Sequence, residues 1–215
     1  MVEVEKLWKH FTLHNQGGVI LPVLEDVSLT ADRGECVVVQ GRSGAGKSTL
    51  LRCVYANYKT QSGAARVRHG TQWVDMARAE AREVLAVRRY SVAYVSQFLR
   101  VIPRVPAIDI VMEPVIASGT DAVTAQRRAE ALLSRLNVPR RLWTLPPATF
   151  SGGEQQRVNI ARGFAAELPI LLLDEPTAAL DATNRRAVVE LIQEAKGRGA
   201  AIGRASCRER VFVGV

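Results

Sequence analysis

A short apolar run, Cys36-Val37-Val38-Val39, leads directly into Gly41-Arg42-Ser43-Gly44-Ala45-Gly46-Lys47-Ser48-Thr49, and no other stretch of the chain restricts the fold as strongly. An unbroken apolar run of this length suits a strand buried on both faces of a parallel sheet. A helix is expected behind it, from about Lys47 to Tyr58. The glycines between strand and helix let the backbone wrap an anion and aim its N–H groups at it, at the positive end of that helix. The spacing fits a phosphate loop, with Lys47 placed to reach β and γ phosphates and the Ser48 hydroxyl placed to bind Mg²⁺. A Gly-rich turn with an incidental lysine would require neither the buried strand before it nor the helix after it.

Two further motifs belong with this loop. Leu171-Leu172-Leu173-Asp174-Glu175 reads as a buried strand ending in two carboxylates. Asp174 is placed to hold Mg²⁺ through water, and Glu175 to polarise a water that attacks a γ-phosphate. As an alternative, the pair simply opens the next helix, where acids are favoured. Phe150-Ser151-Gly152-Gly153-Glu154-Gln155-Gln156-Arg157 then offers a second helix start with bare backbone N–H groups. Ser151 and Glu154 also have capping-box spacing, which needs no ligand. Two glycines are not required by a cap, however, and their lack of side chains permits close approach of a phosphate. One chain seldom needs two such sites for one nucleotide, so the second is expected to serve ATP held by another copy, in a dimer with nucleotide at the joint.

The rest of the chain supplies a frame for these motifs. Val2 to Phe11 and Val23 to Thr30 alternate like strands on either side of Gly17-Gly18 and suggest an antiparallel edge region. Trp73 to Met76 and Tyr90 to Val95 are further strand candidates around a charged helical stretch, Ala79 to Arg89. From Phe98 the composition changes: Pro103, Pro106 and Pro114 punctuate it, and Asp121 opens a helix with Ala125, Ala129, Leu132, Leu133 and Leu136 at helical spacing. A helical lobe is expected over about 98–163. Glu154 to Ala166 and Thr183 to Lys196 read as helices. With 215 residues and 47% hydrophobic content, the chain can build one substantial α/β domain.

Composition narrows the setting. The longest apolar runs are far shorter than the roughly 20 residues that span a bilayer, and the acidic start Met1-Val2-Glu3-Val4-Glu5 does not resemble a signal peptide, so a cytoplasmic protein without a transmembrane segment is expected. Cys36, Cys53 and Cys207 lack the paired spacing of a zinc or redox site. A net charge of +8 invites nucleic acid as a partner, but the basic residues are scattered and no aromatic stacking platform accompanies them. Direct nucleic-acid binding is not expected.

Together the three motifs resemble those of the ATP-binding cassette (ABC) ATPases, over about residues 1–202. The resemblance implies an α/β fold: a P-loop NTPase core with a mostly parallel sheet, an antiparallel β edge region and a helical lobe. It implies ATP and Mg²⁺ as cofactors, hydrolysis at the β-γ bond, and a nucleotide-dependent homodimer or a heterodimer with a related ABC subunit. Gln97 looks like the glutamine that senses Mg²⁺ and water between core and lobe, Ala179-Leu180-Asp181 like the loop that crosses the dimer interface, and Phe11 falls where an aromatic stacks on adenine, although it equally suits a core position. A narrower resemblance, to the PhnL-type ATPases of the bacterial carbon-phosphorus lyase system, rests on Arg52-Cys53-Val54-Tyr55-Ala56-Asn57-Tyr58, on Val95 through Arg104, on Leu136-Asn137-Val138-Pro139 with Leu142-Trp143, and on Phe150 through Phe164. It implies help in forming ribose 1-methylphosphonate 5-triphosphate, with other lyase subunits as partners. The alternatives are the ATP-binding subunit of a lipoprotein-release or macrolide-export transporter, and a nucleotide-binding assembly module without turnover.

The family's pattern breaks near the end. Relatives carry a switch histidine after the strand that here begins at Ala200-Ala201-Ile202, but the only histidines are His10, His14 and His69. Gly203-Arg204-Ala205-Ser206-Cys207-Arg208-Glu209-Arg210 follows instead, and unpaired charges are costly in a central strand. A single domain over 1–202, cut short at its C-terminal part, is expected, with 203–215 an out-of-frame or vector-derived tail; the competing account is a natural divergence with a different γ-phosphate sensor. Intact mass combined with resequencing of the source locus is expected to show a junction near residue 203; a locus encoding the tail in frame would refute that origin.

Overall fold

The computed structural model describes residues 1–97, 99 and 103–206. Phe98, Arg100 to Ile102 and the segment 207–215 lie outside the described residues, and with them part of the expected Phe98 to Pro114 surface and Cys207. Strands β1 (Val2–Leu13) and β2 (Val19–Ala31) form an antiparallel hairpin in register from Val2 opposite Ala31 to Leu13 opposite Val19. Its turn uses Gly17 and Gly18 at φ 70° and 79°, as the paired glycines suggested. Both strands are longer than the alternation indicated, because Pro22 is tolerated opposite His10 beside a register shift.

The antiparallel sheet contains β5 close to where Trp73 to Met76 suggested a strand, and one strand, β4, that the sequence did not indicate. Its order is β2-β1-β4-β5, with β4 at Ser62–His69 and β5 at Gln72–Asp75. Ser62-Gly63 begins β4. Gly63 is needed there, since a Cβ would meet the Lys6 carbonyl of β1. The outward Arg66 of β4 pairs with Glu5 of β1 at 3.0 Å, so the alternation that would reveal a strand is carried by arginines and small residues.

The second sheet is parallel, ordered β3-β8-β7-β6, from β3 (Cys36–Gln40), β6 (Val92–Val95), β7 (Ile170–Asp174) and β8 (Ala201–Ser206). Every residue of β7 is buried, as its unbroken apolar run implies. Strand β3 departs from the same expectation: it lies at the sheet's edge and its residues are only half-buried. Helix α1 (Lys47–Val54) is one turn shorter than expected, because Ala56 adopts φ 58° and the Asn57 and Tyr58 amides turn back to the Arg52 carbonyl. Helix α2 (Ala81–Tyr90) precedes β6.

The helical lobe is built from α3 (Ala107–Ala117), α4 (Ala122–Arg135) and α5 (Gly152–Ala165), and α6 (Ala182–Gly197) packs on the core. Asp121 caps α4 by accepting from the Thr124 amide at 2.9 Å. Helix α3 carries Pro114 in its interior and was not legible as a helix among its flanking prolines. Lobe and core share one apolar cluster: Val111, Ala129 and Leu133 connect through Phe164 to Leu173 and Ile202. Gly163 of α5 lies so close to β6 that a Cβ would collide with the Val95 side chain, which fixes the lobe against the strand leading to Gln97.

Strand β8 continues through Ser206, past the point where the charge pattern suggested it gives way. Gly203 fits beneath Leu172 and Leu51, and Arg204 is accommodated between Val38 and Leu173 with 5% exposure. Its Nη2 donates to Thr177 Oγ1 at 3.2 Å, whereas its buried Nε has no partner. Desolvation holds the guanidinium below its ordinary value. Arg204→Met keeps the length and removes the buried charge, and it is expected to raise stability by about 1–4 kcal/mol; equilibrium denaturation of the two chains checks this, and a loss of stability would show that the charge is compensated.

Candidate nucleotide site

The loop after β3 is shaped by its glycines. Gly44 and Gly46 adopt φ 82° and 85°, and a Cβ on Gly46 would lie 2.7 Å from the Val23 carbonyl, so the turn into α1 demands glycine. Lys47 follows at the first position of α1, with 6% exposure. Its Nζ donates to the Gly41 and Arg42 carbonyls, each at 2.8 Å, so the ammonium is held across the loop it must serve. Arg42, Ser43 and Ala45 form the exposed rim, while Ser48 and Thr49 continue the helix.

Ser48 Oγ donates to Asp174 Oδ1 at 2.7 Å, across 126 positions of sequence. This contact joins the phosphate loop to the end of β7. Asp174 is fully buried and accepts a second hydrogen bond on Oδ2, from the Tyr94 hydroxyl at 3.0 Å. Burial is the first reason that the Tyr94 phenol is pushed up to about 12, so it stays a proton donor. Glu175 adopts φ 49°, a left-handed conformation unusual for this residue. That bend lets its carboxylate leave the strand line, and Gln97 Nε2 donates to Glu175 Oε2 at 3.4 Å. The strand-end segment before Gln97 is tied to the lobe by Asn159 Nδ2, which donates to the Ser96 carbonyl at 2.7 Å.

Ser48, Asp174 and Gln97 could hold a Mg²⁺ ion. They are hard oxygen donors and few, which suits an ion that keeps waters and takes phosphate oxygens. No group of three or more His, Cys, Asp or Glu that could form a protein-only metal site occurs among the described residues. Phe11 meets Tyr58 edge-on at 5.3 Å between ring centroids, with Lys9 Nζ 4.6 Å from the Phe11 ring.

At the start of α5 the capping box is formed. The Glu154 amide donates to Ser151 Oγ at 3.3 Å, and Glu154 Oε2 accepts from the Ser151 amide at 2.8 Å. The cap and the expected phosphate role are compatible, because Gly152 and Gly153 keep that surface bare. A Cβ on Gly153 would stand 3.6 Å from the Ala179 carbonyl, which places the loop Ala179-Leu180-Asp181 beside this turn. Asp181 itself caps α6 through the Asn184 amide at 2.8 Å. Among the described residues, no hydrogen bond links Ser151 to Glu154 with the Gly41 to Thr49 loop. The roles of Tyr94 and Asn159 were not legible in the sequence, because their partners Asp174 and Ser96 lie 80 and 63 positions away, and Arg52 and Tyr58 entered only as part of the segment Arg52 to Tyr58.

A phosphate loop, a carboxylate pair at the end of a buried strand and a helical lobe bearing a second glycine turn define a P-loop ATPase of the cassette class. The family model described as ABC transporter matches residues 24–178, and the chain belongs to that family. It is 37% identical over 212 residues to the lipoprotein-releasing system ATP-binding protein LolD of Novosphingobium aromaticivorans, covering 98% of this chain and 91% of that protein. Identity to the macrolide export ATP-binding/permease protein MacB of Bradyrhizobium diazoefficiens is also 37%, over 86% of this chain but 28% of the relative. An uncharacterized ABC transporter ATP-binding protein of Mycobacterium tuberculosis is 36% identical, with about half of its length (52%) spanned. Among solved structures, the dimeric cassette MJ0796 in a post-hydrolysis state with ADP and Pi superposes with a TM-score of 0.86 at 28% identity, covering 96% of this chain and 88% of that one. The named relatives are transporter ATPases, so the narrower carbon-phosphorus lyase resemblance rests on its sequence segments alone.

The Ser151 hydroxyl, followed by its amide, holds the Glu154 carboxyl below its ordinary 4.5. A depressed folded-state value means that the box stabilises above the unfolded value and is lost as pH falls through the folded one. The difference in thermal midpoint between the parent chain and Glu154→Ala is therefore expected to be present at neutral pH and to close as pH is taken well below 4.5; thermal melts across that range measure it.

Proposed function

We propose that this chain is the ATP-binding and hydrolysing subunit of a two-cassette assembly, with each ATP held by the Gly41 to Thr49 loop of one copy and closed over by the Ser151-Gly152-Gly153 turn of the other. The observation that carries this reading is the Ser48–Asp174 hydrogen bond, which assembles the loop and the carboxylate strand into one site at 2.7 Å. Lys47 holds the β and γ phosphates, Phe11 offers a ring to adenine, and Ser48, Asp174 and Gln97 hold the ion. Mg²⁺ supplies neutralisation of charge that develops on the phosphate oxygens. Glu175 accepts a proton as water attacks the γ-phosphorus; the bond to the bridging β-γ oxygen breaks, and ADP and inorganic phosphate result.

For the partner, we favour a membrane transporter of the lipoprotein-release or macrolide-export kind, because LolD is matched along 91% of its length. No helix among the described residues is long and apolar enough to cross a membrane, and in this reading the membrane part docks against the surface described next. A cleft of about 440 Å³ between α2, α3 and α5, bordered by Leu85, Arg89, Glu113, Pro114 and Arg162, supports such docking. A second reading, a subunit of the carbon-phosphorus lyase system acting on soluble partners, is favoured by the segment Arg52 to Tyr58. Within that segment Arg52 donates to Tyr58 at 2.9 Å, and the exposed Asn57 accepts from Arg88 at 2.9 Å. Affinity capture from a phosphonate-using cell separates the two: a permease supports the first, soluble phosphonate-pathway subunits the second.

Lys47→Ala is expected to abolish binding of a fluorescent ATP analogue. With no histidine in the sequence after β8, turnover is expected to be slow, and where it is already crippled Glu175→Gln changes it little; a robust steady-state ATPase rate lost on Glu175→Gln would refute impaired turnover and leave the binding role intact.

A further inference from the structure

The structure assigns Tyr94 and Arg52 a positioning role: together they orient the Asp174 carboxylate toward the Mg²⁺ that accompanies ATP. This inference rests on the proposed nucleotide site. Asp174 is fully buried, and its two oxygens are engaged from opposite sides, Oδ1 by Ser48 at 2.7 Å and Oδ2 by the Tyr94 hydroxyl at 3.0 Å. A buried carboxylate held by two donors cannot rotate without leaving one of them unpaired, at the cost of desolvated polar atoms. Ser48 is itself needed by the ion. Tyr94 is therefore the donor that keeps the carboxylate plane fixed whatever Ser48 does.

Arg52 sets the direction of that hydrogen bond. Its Nε donates to the Tyr94 oxygen at 3.3 Å, and its Nη1 donates to the Tyr58 oxygen at 2.9 Å. A guanidinium has donors only, so the Tyr94 oxygen must accept from Arg52 and send its own proton to Asp174. The Tyr94 ring is held in turn by stacking on Tyr55, at 5.2 Å between centroids and 27° between planes. At the other end, Tyr58 packs edge-on against Phe11 at 5.3 Å. A continuous set of contacts thus runs from the proposed adenine face, through Tyr58, Arg52 and Tyr94, to the carboxylate at the metal end. Groups that orient metal ligands from outside the coordination shell change metal affinity by roughly 10–100-fold when removed.

Tyr94→Phe deletes only the hydroxyl and retains the stacked ring. The test uses the full chain with a non-hydrolysable ATP analogue, and reads Mn²⁺ affinity of the nucleotide complex by electron paramagnetic resonance alongside analogue affinity in EDTA. Tyr94→Phe is expected to weaken Mn²⁺ binding about 10-fold and to leave analogue affinity in EDTA unchanged. Arg52→Met is expected to weaken Mn²⁺ in the same direction, Arg52→Lys to restore part of the loss, and the double variant Arg52→Met with Tyr94→Phe to be no worse than Tyr94→Phe alone, because Arg52 acts through Tyr94. Mn²⁺ affinity in Tyr94→Phe within twofold of the parent, or losses that multiply in the double variant, would overturn the role. A lowered thermal midpoint in EDTA with Mn²⁺ affinity intact would overturn it too, making these packing residues. A parent chain that binds no analogue would instead remove the nucleotide site, and this inference with it.

Discussion

The buried Asp174 carboxylate is the constraint around which the rest is arranged. A charge with no exposure at the end of an apolar strand is unfavourable unless hydrogen bonds replace its water. Ser48 and Tyr94 supply them, from α1 and β6 respectively. Satisfying one carboxylate therefore locks the phosphate loop to the central sheet and joins both to the strand that leads to Gln97. The parallel direction of β3, β8, β7 and β6 brings the carboxyl ends of the strands, and the loop after β3, to one edge, where these contacts can form.

Backbone strain is concentrated beside that edge. Gly46 turns the chain where any side chain would strike the Val23 carbonyl, and Glu175 is bent into the left-handed region directly after Asp174. The first position is one that only glycine fills without strain, whereas the second retains a glutamate despite it. A residue held in a costly conformation at a site of charge is consistent with its carboxylate being needed where the bend places it. The lobe is fixed to this region from the other side by close contact of Gly163 with Val95 and by Asn159 on the Ser96 carbonyl. Core and lobe are thus joined at the segment just before Gln97.

The fold class and much of the site were legible in the sequence, for identifiable reasons. The phosphate loop, the carboxylate pair and the Ser151 cap each draw their chemistry from neighbours in the chain, so spacing alone exposes them. Strand β7 announced itself because a strand buried on both faces has no polar break. Strand β4 did not, because its outward positions are arginines and its inward ones partly alanine. Helix α3 was obscured by prolines at its start and in its interior, one a favourable entry and the other tolerated by packing. The half-buried state of β3 could not be inferred either: an apolar strand reads alike at the centre or the edge of a sheet.

By itself the sequence exposed two glycine-shaped helix starts and placed the chain with the cassette ATPases, since those features depend on a few adjacent residues and on glycine's lack of a side chain. Tertiary structure alone decided which distant groups meet. It paired Ser48 with Asp174, placed Arg52 behind Tyr94, and enclosed Arg204 in a strand whose charge pattern argued against it. The physical reason is that hydrogen bonds and burial depend on distance in space, and a linear pattern records only distance along the chain.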